Sequence, residues 1–155
     1  MSSQLEEKSL TNAGKYNIFS LLCIFIVGLN RFMNVGLFRA FYFVPMIIHA
    51  ILFYFSNRSF HRMEYQKSKA MKLVNYSVYI SFLLSHILLP DTVGTAGSDR
   101  VFFGLLTDEG LISTATVAAL LLLWVSFISL LVQVIYNWRV GRKLREEMFK
   151  KAGLL

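Results

Sequence analysis

Four runs of apolar residues, separated by polar stretches, frame the chain. The first begins near Tyr16 and is uninterrupted only from Ile18 to Leu29. That stretch is roughly 18 Å at the helical rise of 1.5 Å per residue, too short for a hydrocarbon core of about 30 Å. It crosses only if the helix continues through Asn30, Arg31 and Phe32 to Val35, giving a span over 16–35 with Arg31 snorkelling to the interface. The second run, 37–56, has about the twenty residues a crossing needs. It contains Pro45, which removes a donor, crowds the preceding turn and should kink the helix. The third, 73–89, stops before Pro90-Asp91. The fourth, 111–138, is the cleanest, and Thr107-Asp108-Glu109 before it supply an N-cap and acids suited to a helix N-terminus. The pattern predicts an all-α integral membrane protein, a four-helix transmembrane bundle without repeats or a separate soluble domain.

The charges between the runs orient it. In the 57–72 loop, Arg58, Arg62, Lys67, Lys69 and Lys72 outweigh Glu64 for a net +4. In the 139–155 tail, Arg139, Arg142, Lys143, Arg145, Lys150 and Lys151 outweigh Glu146 and Glu147, again for +4. In the 90–110 loop, Asp91, Asp99, Asp108 and Glu109 outweigh Arg100 for −3. Short basic loops stay cytoplasmic, so the 57–72 loop and the tail lie inside and the acidic loop outside. With four spans the N-terminus is also inside (N-in/C-in). The tail extends the fourth helix, with Val140, Leu144 and Met148 at spacing four. It either rests on the membrane surface or stands in solvent.

Composition agrees. Of 155 residues 55% are hydrophobic and only 16% charged, below the quarter usual in soluble domains. The formal charge of +7 lies beside the apolar runs, so it reads as membrane orientation and contact with anionic headgroups, not nucleic-acid binding. The single cysteine, Cys23, excludes an internal disulfide and any Cys-based metal motif. The N-terminal stretch, with two acids and no basic cluster, does not resemble a secretory leader, so the first run is expected to be retained.

Helical faces select the candidate residues. On the fourth run, Ala115, Ala119, Leu122, Ser126, Ser129, Gln133 and Asn137 form a stripe of small and polar side chains, expected to pack against protein, with Leu121 and Leu130 off it. Arg39, His49 and His86 are the membrane-depth ionisable residues, functional candidates by default. On the second run Arg39, Tyr42, Met46, His49 and Phe53 share a face; on the third, Asn75, Tyr79, Phe82 and His86 do. Arg39 is expected to snorkel or to meet an anionic group. His49 and His86 are the weak candidates for a shared b-haem. Counted from the cytoplasmic ends of their runs, they differ in depth by about six residues, or roughly 9 Å, which argues for separate structural roles. The apolar stretch around Phe102 and Phe103 in the outer loop is expected to dip into the interface or dock on another protein.

No phosphate-binding Gly loop, HExxH, GxSxG, calcium loop or Cys/His cluster is present, and no acid lies within a span. The sequence therefore predicts no catalytic residue, cofactor or metal. It points to a non-enzymatic accessory, assembly or scaffold subunit, whose partners are the lipid bilayer and other integral membrane proteins or copies of itself. The alternatives are an oligomeric small channel or transporter and, less favoured, a haem redox subunit.

Overall fold

The structure is a computed structural model. It describes residues 2–33, 38–63, 68–90 and 100–152, excepting the side chains of residues 2–12 and 38–41. Among the described residues there are four helices: α1 (Ser2–Met33), α2 (Phe38–Arg62), α3 (Lys69–Leu88) and α4 (Glu109–Lys151). Three of them, over their described residues, are long and apolar enough to cross a membrane: α1 over Ala13–Met33, α3 and α4. All carry large apolar side chains on their outer faces. On α2, Phe43, Val44, Ile48, Ile51 and Phe55 are exposed; on α4, Leu121, Trp124, Ile128 and Leu131 are exposed. Water would charge heavily for such a surface and a bilayer would not.

Local chemistry sets several helix ends. Ser68 caps α3, its hydroxyl accepting from the Met71 N–H at 3.2 Å. Asp108 caps α4, accepting from Leu111 at 2.9 Å. Others run past the apolar pattern. α2 continues unbroken through Pro45 and extends to Arg62, six residues beyond the expected end at Ser56. α1 starts well before Tyr16 and continues through Asn30 and Arg31. α4 continues through the basic tail to Lys151, stiffened by an Arg142–Glu146 pair one turn apart. Helical propensity persists where hydropathy fades, because Lys, Arg, Glu and Met are good helix formers.

The core lies where the inward faces meet. On α4 the buried positions are Ile112, Ala115, Ala119, Ser126, Leu130, Gln133 and Asn137, at spacings of three, four and seven. On α3 they include Met71, Asn75, Val78, Phe82 and His86. These two helices make the most extensive pairing, α1 packs mainly on α2, and both pairs close around Cys23, Val27, Met46, Phe53, Tyr79 and Leu130. Small residues at Ala115, Ala119 and Ser126 allow α3 and α4 to approach closely.

Between α3 and α4, Val101 and Leu106 form an antiparallel bridge that closes a tight turn. Val101 is buried against Ile112 and Ala115, whereas Phe102 and Leu105 are exposed. The expected apolar patch is thus split between an anchor and an exposed tip. Phe102, Phe103 and Gly104 have φ of 54°, 58° and 78°. Two non-glycine residues in the left-handed region cost on the order of 1–3 kcal/mol each and persist only where surrounding contacts fix them.

Candidate functional site

The polar side chains of the bundle interior collect into two layers. In the one nearer the end of α3, His49 of α2 bridges two helices. Its Nδ1 lies 3.0 Å from Nε2 of His86 on α3, and its Nε2 lies 3.1 Å from Oγ of Ser126 on α4. All three are essentially inaccessible. Protons run in one of two senses: Ser126 donates to His49 and His49 to His86, or the reverse. Either sense leaves His86 Nδ1 with no hydrogen-bond partner among the described residues. Aromatic rings fix the imidazoles. Phe127 stacks on His49 at 4.4 Å, and Phe82 meets both rings edge-on at 5.0 and 4.9 Å.

The depth separation expected for the two histidines is therefore overturned. Hydropathy put the inner end of α2 at Ser56, but the helix ends at Arg62, thirteen residues from His49. His86 is seventeen residues from Lys69, the start of α3. The offset falls to about 6 Å, within side-chain reach. The two ring nitrogens lie within hydrogen-bonding distance of each other.

Above this layer, near the α3 C-terminus, sits a latch. Asn30 of α1 donates to the His86 and Ile87 carbonyls at 3.1 and 3.4 Å and accepts from the Phe103 N–H at 2.7 Å. Arg31 also donates to the His86 carbonyl, at 3.2 Å, and lies over the Tyr42 ring. Arg31 was expected to snorkel outward, but it is buried. The end of α3 offers carbonyls that lack intrahelical partners, and a guanidinium in a low-dielectric interior is better placed on them than unpaired.

The other layer uses amides. Asn57 Oδ1 of α2 accepts from Asn75 of α3 at 2.7 Å and from Gln133 of α4 at 3.1 Å. Asn137 of α4 donates to the Ser56 carbonyl at 2.9 Å. α1 joins through Ser20, whose hydroxyl lies 2.6 Å from that of Tyr79, and through Tyr16, stacked on His61 at 3.8 Å. Ser126 and Gln133 are seven positions apart on α4, about 10 Å along its axis. Phe53, Val78, Phe82 and Leu130 fill that interval, all buried, with Phe53 and Phe82 stacked at 4.0 Å. A half-buried bond between Ser77 and Ser129 runs beside it.

Of the seam residues, Ala115, Ala119, Ser126 and Gln133 are buried against the chain's own helices, and Ser129 is half-buried. Leu130, expected off the seam, is 3% exposed and belongs to the core. It lies four residues after Ser126 and three before Gln133, so the inward face is wider than one row. The Arg39 side chain lies outside the described residues. Asn30, Asn57 and His61 went unselected in the sequence, the last two because they fall past the end of the apolar run. The usable signal was their helical register with His49 and Phe53.

Chemically, Ser126, His49 and His86 form a hydroxyl–imidazole–imidazole chain, the arrangement that can activate a nucleophile when a substrate reaches it. Here the hydroxyl is fully buried, and the chain joins three helices. No group of three or more His, Cys, Asp or Glu side chains converges among the described residues. Comparison with protein-family models, curated proteins and solved structures finds no match.

Proposed function

We propose that the chain is a four-span integral membrane protein with both termini in the cytoplasm, acting as a non-enzymatic accessory, assembly or scaffold subunit. The observation that carries this reading is the use of the interior polar groups. They bond to one another in two layers, across an aromatic plug of about 10 Å, and hold the bundle shut. What the molecule offers to others is its outside: apolar helix faces, the exposed Phe102 and Leu105 at the outer turn, and the end of α4. α4 is about 64 Å long at helical rise, and its last thirteen residues continue past the apolar run as a rigid basic arm. A subunit that tethers or spaces membrane partners needs such a closed body and arm. A bundle of this size encloses no pore of its own, so the channel alternative requires copies to line a path between them.

Solubilisation in mild detergent tests the reading. The chain should migrate in a stoichiometric assembly with other membrane subunits or with further copies that conduct nothing in liposomes. Migration as a free monomer from native membranes, or ion conduction by a purified homo-oligomer, would contradict it.

A further inference from the structure

The amide layer holds four side-chain atoms that its own hydrogen bonds leave over. Oγ of Ser56, Nδ2 of Asn57, Oε1 of Gln133 and Oδ1 of Asn137 are buried and have no hydrogen-bond partner among the described residues. The four residues are 5%, 0%, 0% and 9% exposed. They meet at one junction between α2 and α4. An amide carries its oxygen and nitrogen on one carbon, so Asn57 Nδ2 and Gln133 Oε1 adjoin the 3.1 Å bond that joins these two residues. Asn137 Oδ1 likewise adjoins the 2.9 Å bond to the Ser56 carbonyl. Ser56 and Asn57 are consecutive, and Gln133 and Asn137 are one turn apart, about 6 Å along α4. Turning single amides over does not satisfy these atoms. Turning Gln133 sets its oxygen against Asn57 Oδ1, and turning Asn57 sets its nitrogen against those of Asn75 and Gln133.

The set comprises two acceptors, one donor and a hydroxyl that is both. Water matches it, because it donates and accepts at once and a buried molecule makes about three bonds to such groups. A cation would meet the Asn57 N–H and the basic residues that follow, Arg58 and Arg62, with no carboxylate in the layer. An anion would meet two carbonyl oxygens. We propose that the amide layer is a hydration site, in which ordered waters bridge Asn57 to Gln133 and Ser56 to Asn137 and exchange with bulk water past Asn137. The water goes no farther into the bundle. Toward Ser126 it meets Phe53, Val78, Phe82 and Leu130, and an interior lined by such side chains stays dry. α2 and α4 are therefore joined at this level through bound water as well as directly. The site is independent of the scaffold reading.

The test is magnetisation transfer from water, followed by solid-state NMR on the full-length protein in bilayers of deuterated lipid. Build-up at the side-chain carbons of Asn57 and Gln133 should approach that of exposed Arg142. It should outrun Phe53 and Val78, which are as inaccessible as Asn57 and Gln133 at 0%. Equally slow build-up at Gln133 and Val78 would overturn the site, and that comparison needs no variant to fold. Build-up at Val78 and Phe53 as fast as at Gln133 would overturn the boundary at the plug. Gln133→Met, which keeps the length and removes the amide, should slow transfer to Asn57. Unchanged transfer would overturn the bridge between the two residues. Movement of the Gln133 and Asn137 side-chain carbonyl signals when sodium or potassium replaces choline would overturn water as the occupant, in favour of a cation.

Discussion

At His49 a single imidazole holds three helices, with one nitrogen on His86 and the other on Ser126. Interhelical hydrogen bonds in lipid contribute about 0.6–2 kcal/mol each, and a buried partner left unsatisfied costs about 1–3 kcal/mol. His49→Leu should therefore destabilise the bundle by about 2–3 kcal/mol in a detergent unfolding titration. His49→Gln, which keeps an acceptor and a donor, should cost less. Equal losses for the two would remove the hydrogen-bond chain from the account. Leu130→Ala should cost about 2–4 kcal/mol, as large-to-small changes in a packed core do. Leu121→Ala, at a 63% exposed position facing outward, should cost well under that. Equal midpoints in a thermal melt would show that the core lies elsewhere. The two histidines were legible in the sequence as ionisable groups at membrane depth. Their contact was not, because it depends on where α2 ends, and hydropathy marks the end of the lipid contact and not the end of the helix. Asn57 and His61 were lost for the same reason.

Among the elements, α4 and the outer turn carry the strongest expectations. Ala119 is fully buried, so the added bulk of Ala119→Leu forces its neighbours apart and should lower stability by about 1–3 kcal/mol. A leucine at exposed Ser113 should be tolerated, and hydrogen exchange along α3 separates the two outcomes. The turn at Phe102–Gly104 is held against its own conformational preference by Asn30. Asn30→Ala should raise amide exchange or proteolysis at 101–106 more than elsewhere. Uniform protection would mean the turn needs no latch. Helix number, and the end of α3 near Pro90, could be read from the apolar runs. The turn could not: Gly104 marks one left-handed residue, whereas Phe102 and Phe103 are residues that ordinarily avoid that region and are placed there by a contact 73 positions away in sequence.

For the whole molecule, the central claim is a closed bundle that crosses the membrane four times with both ends inside. Its basis is the charge pattern of +4, −3 and +4 along the last three connecting segments, which the positive-inside rule converts to an orientation. α1 is the span that the sequence leaves in question, because its apolar run is interrupted at Asn30 and Arg31, and α2 is the helix that is not long and apolar enough over its described residues. Asn30 and Arg31 are both buried and bonded to the end of α3, which supports a crossing by α1. The most direct measurement labels single cysteines, in a Cys23→Ala background, with a membrane-impermeant reagent in sealed vesicles of known sidedness. Cysteines at Ser3 and Ala152 should label together from the cytoplasmic face, and one at Thr107 from the opposite face. Thr107 labelling from the same side as Ala152 would contradict the bundle's orientation in the membrane, and Ser3 labelling with Thr107 would reduce the protein to three spans.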